Sequence, residues 1–437
     1  MNNRGRPLSY LELLKNRLIY LSLKFEAEDY EKAKLRRAIN NCWKAIYHNL
    51  GRNKENPLND DKFLFNHYVI YFGKDAVEES EDTTVELRYH RLLHTDYASQ
   101  LLETKFIAKN VTDHAKPEER IELSDIYSYV SSLQQSVECW YRLFNPINSE
   151  LDPDVQVWLD KLNRIGIDPY LPLIMVFFQK VTDSKKRVTL LKIIERHLFL
   201  LSLLGYMPGR HHFYTGSTLI QRAVKLNTGK NTPAKAIKEL TDTTSSMLRE
   251  LHFQESIMQR FRSEGFYKWG AIRYFLYEYN LSLQQRSKTS RPKIAWPEFI
   301  EHPSDFVSVE HIYPQQARHG YWTTRFYGLS SKQRTILRHS LGNLLPLSKP
   351  KNSSLSNKPF PEKVDGERDP VVGYRYGCYA ENEVSELTEW TPNAILDRGV
   401  HLLGFMEDRW EINLGDREKK LRLLGLEFLK KKSQHNK

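Results

Sequence analysis

The chain has 437 residues, 40% of them hydrophobic, enough for two or three domains with their own cores. Its formal charge of +11 favours a polyanionic partner, nucleic acid or an acidic membrane surface, because clustered Lys and Arg release counterions when they neutralise phosphates. The most apolar stretch, residues 189–206, is interrupted by Lys192, Glu195, Arg196 and His197, so it is expected to be a buried helix and not a membrane span. Cys42, Cys139 and Cys378 are too few and too far apart for a disulfide framework or a cysteine zinc site. The N-terminal residues contain no uninterrupted apolar run followed by small residues, so a cytoplasmic protein without a secretion signal is expected.

In chain order, apolar residues at helical spacing (Leu11, Leu14, Leu18, Leu21) predict a helix over residues 8–25, with Ser9 as its cap and Glu12 three residues on. Residues 49–61, rich in Asn, Gly and Pro, are expected to form a loop, and residues 78–82 an acidic turn. Further helices are expected at 126–144, 155–165, 169–181, 188–206, 233–261 and 267–285, which makes the first 290 residues almost wholly helical. No repeat of fixed period is visible. The basic polar segment 287–291, just before Pro292, is the best boundary.

Beyond it the pattern changes. Residues 306–312 and 341–347 are short β-favouring runs bounded by Pro, Gly, Ser and Asn, and Asn352 is placed to cap a short helix ahead of Pro359 and Pro361. The expected order is strand, strand, helix. Two more helices are expected at 391–406 and 418–432, the second with a basic end that suits a helix C-terminus.

Hydrolysing a phosphodiester needs an activated water, a cation for the charge that develops, and groups that orient both. Glu310 and His311 can divide these tasks: imidazole titrates near neutrality, and a carboxylate supplies a hard oxygen ligand. Neighbouring strand residues point to opposite faces, so both serve one site only if the chain bends there, at Pro314 and the segment 315–320. Asn343 and Asn352 follow; one carboxamide could brace the loop that holds the histidine and the other could ligate metal through its oxygen. Between Glu310 and Asp365 there are nine Lys or Arg against three carboxylates, more than half of the chain's surplus of positive charge.

The segments FVSVEHIYPQ, LGNLLPLSKPKNSSLSNKPFPEK and WTPNAILDRGVHLL, with Trp322 after the first, resemble the DUF1524 HNH domain of Gmr-type, modification-dependent restriction endonucleases over roughly residues 296–410. The resemblance implies a ββα-metal nuclease in which Glu310 ligates the metal, His311 is the general base, Asn343 supports it as part of the catalytic motif, and Asn352 is the second metal ligand. It matches Lys363 and Arg398 to basic positions of the family pattern, with phosphate contact or structural roles; together with Lys349, Lys351 and Lys358 these are the expected nucleic-acid-binding residues. One divalent cation, Mg2+ or Mn2+, is the expected cofactor and DNA the expected partner, with no membrane role.

Near the start, NNRGRPLSYLELLKN resembles the middle of a DUF262 domain, and YKWGAIRYFLYEYN resembles the helix that joins such a domain to the nuclease. The family's nucleotide-hydrolysing site centres on a D-G-Q-Q-R segment, which this chain does not contain. The resemblance therefore implies an N-terminally shortened protein: either a separate nucleotide-binding DUF262 subunit supplies that half, or the gene is split or decayed. A non-catalytic nucleic-acid-binding or scaffolding subunit for that partner is the alternative to an active nuclease. The expected fold class is mainly α, a long helical region followed by a small α+β nuclease domain: residues 1–120 a helical DUF262-like remainder, 121–291 a helical bundle or connector, and 292–437 the HNH domain.

Blander readings stand beside these. His339 is expected to be a surface residue at a helix end, and His211 with His212 a solvated pair. The aromatics Tyr267, Trp269, Tyr274, Phe275, Tyr277 and Tyr279 could stack on bases, but most are expected in the core. The absence of G-x-S-x-G, P-loop and G-x-G-x-x-G motifs removes the usual α/β-hydrolase, NTPase and dinucleotide readings.

Overall fold

The computed structural model describes residues 7–52, 58–74, 96–112, 115–206, 213–249, 251–288, 291–299, 309–366 and 372–430. The strand run 306–308, the acidic turn 78–82 and the pair His211 and His212 lie outside them. The chain forms two compact units, residues 1–195 with 208–242, and residues 196–207 with 243–437. The fold is mainly α, as the periodicity predicts. No described helix is long and apolar enough to cross a membrane.

The first unit is built from α1 (Tyr10–Lys24), α2 (Asp29–Gly51), α3 (Asp60–Phe72), α4 (Leu123–Phe144), α5 (Pro153–Ile165), α6 (Leu171–Lys180), most of α7 (Ser184–Leu203), α8 (Phe213–Asn227) and the start of α9 (Pro233–Arg249). The predicted start of α1 is realised as a capping box: the Ser9 hydroxyl accepts from Glu12 N and the Glu12 carboxylate accepts from Ser9 N. In α2 the buried residues Leu35, Ile39, Cys42, Trp43 and Ile46 recur at helical spacing and lie against α4, which buries Ile126, Val130, Leu133, Val137 and Trp140. Each such side chain contributes about 1.5–3 kcal/mol on burial, and the Trp43 indole N–H is satisfied by Leu11 O at 3.0 Å.

The expected loop at 49–61 is shorter than its composition suggests. Asn49 belongs to α2, where its side-chain amide donates to Ala45 O at 2.9 Å, and Asp60 opens α3 behind the Asn59 cap. The single helix expected at 233–261 is two, α9 and α10 (Leu251–Glu264).

The second unit continues with α11 (Ile272–Arg286), β1 (Val309–His311), α12 (Ser331–His339), β2 (Leu344–Pro346), α13 (Lys349–Leu355), α14 (Phe360–Asp365), α15 (Tyr379–Ser385), α16 (Pro392–Trp410) and α17 (Arg417–Leu423). β1 and β2 pair antiparallel with Val309 opposite Pro346, Glu310 opposite Leu345 and His311 opposite Leu344. The expected order strand, strand, helix is interrupted: helices Gly320–Arg325 and Ser331–His339 lie between β1 and β2, started by the His319 and Ser330 caps, and α13, which follows β2, begins before Asn352. Pro350 in its first turn is pre-set for helix and gives up only an N–H that would have no partner there, so Ser348 takes the cap position and Asn352 falls mid-helix.

The aromatics of residues 269–279 pack inward as expected: Trp269, Tyr274, Phe275, Tyr277 and Tyr279 are buried. α16 supports the strand pair from behind. A Cβ on Gly342 would lie 1.9 Å from Ile395 O, so only glycine permits the loop before β2 to approach α16 this closely.

Candidate active site

The geometry starts from Asn343. Its side-chain oxygen accepts from Tyr313 N at 2.8 Å and from the Trp390 indole N–H at 3.0 Å, while its amide donates to Tyr313 O and Arg338 O, both at 3.0 Å. Its backbone O accepts from Ile312 N at 3.1 Å, which extends the strand pairing by one step. The carboxamide therefore acts as a strand partner for Tyr313 and holds the chain where β1 ends. Arg338 adds a bond from Nε to Pro314 O at 3.2 Å. This is the bend that Glu310 and His311 require to share a site. Asn343 is 0% exposed and its hydrogen-bonding capacity is spent, so it is a positioning residue that does not reach substrate.

Past the bend, Glu310, His311 and Asn352 line one pocket of about 260 Å3, with Tyr267, Gln315, Gln316 and Asn357 among the other walls. The three residues thus meet from β1 and α13, across more than forty positions of sequence. Burial lowers the His311 pKa to about 3, helped by His339, Lys363 and Arg338, so the imidazole is neutral at physiological pH. Its Nε2 is buried without a hydrogen-bond partner. The ring packs against Tyr267, with centroids 4.2 Å apart, and meets His339 edge-on at 5.4 Å. His339 ends its helix as expected, but it is half-buried beside the site.

Glu310 is buried and anchored by two side chains. Its Oε1 accepts a close hydrogen bond from Lys363 Nζ and a second from the Tyr374 hydroxyl at 3.2 Å. Lys363 also donates to His311 O at 3.2 Å, so one ammonium fixes both members of the Glu-His pair. Burial pushes the Glu310 carboxyl up and the Lys363 ammonium down, and their contact opposes both shifts by stabilising the charged pair. The sequence gives no local sign of this pairing, which spans 53 positions.

The expected nucleic-acid contacts divide into two groups. Lys349 is exposed and Lys358 half-buried, and they flank the α13 segment that carries Asn352. The other three are turned inward: Lys363 and Arg398 take the structural one of their two expected roles, and Lys351 departs from the expected nucleic-acid contact. Lys363 is 0% exposed against Glu310. Lys351 pairs with the buried Glu381 and donates to Gly373 O at 3.1 Å. Arg398 is buried in α16, its Nη1 donating to Gly342 O and Leu344 O at 2.8 Å each. Lys363 and Lys351 brace buried carboxylates and Arg398 Nη1 braces backbone oxygens at β2, while Arg398 Nε and Nη2 are buried without a partner.

Among the described residues no group of three His, Cys, Asp or Glu side chains stands ready to hold a metal ion. A cation at this pocket would rest on the Glu310 carboxylate and the Asn352 amide oxygen, hard donors suited to Mg2+ or Mn2+, beside the orphaned His311 nitrogen.

No curated protein and no solved structure matches the chain. Residues 252–405, which contain every residue of the pocket, match the family model described as GmrSD restriction endonucleases, C-terminal domain, and this similarity supports a Gmr-type restriction endonuclease.

Proposed function

We propose that the protein is a metal-dependent endonuclease of the HNH type that hydrolyses DNA phosphodiester bonds, in restriction of foreign or modified DNA. The observation that carries this reading is the convergence of Glu310, His311 and Asn352 on one pocket, with His311 Nε2 unpartnered. The restriction role itself rests on the similarity of residues 252–405 to that endonuclease domain.

In this mechanism His311 Nε2 accepts a proton from water as the water oxygen bonds to phosphorus, the P–O bond to the leaving sugar oxygen breaks, and that oxygen departs with the bonding pair and takes a proton from solvent. Burial first, and the nearby cations second, keep the imidazole neutral and so able to accept a proton. Glu310 and Asn352 would hold the divalent ion. Bound there, the ion would act as a Lewis acid, polarising the scissile phosphate and offsetting the charge that develops on it. A neutral amide ligand leaves more of that positive charge for the phosphate than a second carboxylate would. Lys363 keeps the carboxylate and the His311 backbone in register, and Asn343 holds the bend.

The purified chain is expected to nick supercoiled plasmid with Mg2+ or Mn2+, to stop in EDTA, and to resume when the ion is restored. Asn352→Leu should raise the metal concentration needed for half-maximal rate about tenfold or more. Full activity in EDTA, or an unchanged metal requirement in the variant, would contradict the assignment.

A further inference from the structure

Tyr267 differs from the aromatics that follow it. Trp269, Tyr274, Phe275, Tyr277 and Tyr279 are core, whereas Tyr267 is half-buried and lines the pocket of Glu310, His311 and Asn352. It precedes α11, so it comes from a segment upstream of the boundary expected at 287–291. That segment is tightly placed. Phe266 N donates to His339 O at 2.8 Å, and the Phe266 ring, 1% exposed, stacks on Phe261 with centroids 4.2 Å apart. Gly265 has φ +67, and a Cβ there would lie 2.8 Å from both the Cβ and the O of His339, so a side chain at this position would push the segment off the end of α12.

The consequence falls on His311. The Tyr267 ring stacks on His339 at 5.5 Å and packs on the His311 imidazole at 4.2 Å, tilted by 51°. The end of α12 is in turn tied to the bend after β1, through Asn343 to Arg338 O and through Arg338 Nε to Pro314 O. A general base must hold its lone pair in a narrow range of directions. His311 Nε2 has no hydrogen-bond partner among the described residues, and the contacts that bound its ring are aromatic. We propose that Tyr267 is a positioning residue for the nuclease reaction, its ring setting the orientation in which His311 meets water, so that the segment 265–267 completes the active site. This role rests on the endonuclease reading above. Tyr267 acts through His311 and takes no proton itself; the ring carries the role and the hydroxyl does not.

The test uses the full chain. Tyr267→Leu should lower kcat for plasmid nicking by up to about a hundredfold with KM little changed, because a small misplacement of a reacting group costs that much. Tyr267→Phe, which keeps the ring, should retain most of the rate. Gly265→Ala leaves Tyr267 in place but displaces its segment, and gives a second route to the same loss of kcat. A separate readout needs neither metal nor DNA: in chain labelled with 13C-histidine, the His311 ring signal, identified by its loss in His311→Ala, should carry a ring-current shift that Tyr267→Phe keeps and Tyr267→Leu removes. Unchanged kcat and an unmoved His311 signal in Tyr267→Leu and Gly265→Ala, a change confined to KM, or an equal loss in Tyr267→Phe would overturn the proposal. His311→Ala separates the two assignments. Full cutting by that variant defeats the nuclease reading and this proposal with it, whereas inactive His311→Ala beside fully active Tyr267→Leu defeats the positioning role alone.

Discussion

His67 lies in the first unit and His311 in the second, and burial lowers the pKa of both imidazoles to about 3. Their surroundings differ. His67 is wholly enclosed, with Nε2 at 3.1 Å from the Ser132 hydroxyl and its ring between Tyr71, stacked at 5.6 Å, and Tyr129, edge-on at 5.1 Å. His311 is almost as deeply placed, but it borders a pocket that Glu310, beside it in sequence, and Asn352 also line. Desolvation by itself therefore does not distinguish a site from a core. The distinction comes from an opening and from hard oxygen donors that share it.

Three experiments would break or sharpen that contrast. The largest effect is expected from Lys363→Met, which leaves Glu310 buried without its cation; unfolding in denaturant should show a loss of about 3–5 kcal/mol. Much of that loss should return in the double variant with Glu310→Gln, and a purely additive double variant would show that the pair is not coupled. Next is Asn343→Ala, which removes the bonds that hold Tyr313 and strands the Trp390 N–H. A loss of about 3 kcal/mol with sharply reduced cleavage is expected, whereas unchanged cleavage would deny that the bend positions His311.

The smallest effect is the pH response of His67. Its folded pKa, about 3, lies below the unfolded value of 6.5, so the folded state refuses a proton that the unfolded chain accepts. The stabilisation is complete above pH 6.5 and is lost as pH falls toward 3, by about 2 kcal/mol between pH 8 and pH 5. His67→Gln should flatten the stability profile by that amount over the same range. Parallel profiles would show that this imidazole is not kept neutral by the core.

Much of the fold could be read from the chain because its determinants are local. The Ser9 and Glu12 capping box, the apolar stripe of α4 and the two short strands at 309–311 and 344–346 all follow from spacing and propensity, whereas the helices Gly320–Arg325 and Ser331–His339 between those strands were not read. Glu310, His311 and Asn352 were also legible, from residue type and order, and they line one pocket. What escaped reading is long-range. Lys363 carries no periodic signature that distinguishes a buried clamp on Glu310 from a surface cation, and neither Arg398 nor Lys351 announces that it faces backbone carbonyls. His339 looked like an ordinary helix end because only the tertiary fold brings its ring to His311. Charge counted along the chain thus overstated the cations available to a phosphate.

The comparison of the two histidines also supplies the most direct test of the nuclease assignment. Plasmid nicking in Mn2+ is measured for the unaltered chain, His311→Ala and His67→Gln, with folding of each checked by circular dichroism. The account predicts that His67→Gln cuts at close to the unaltered rate while His311→Ala loses about a thousandfold. Cutting by folded His311→Ala at the unaltered rate would contradict it.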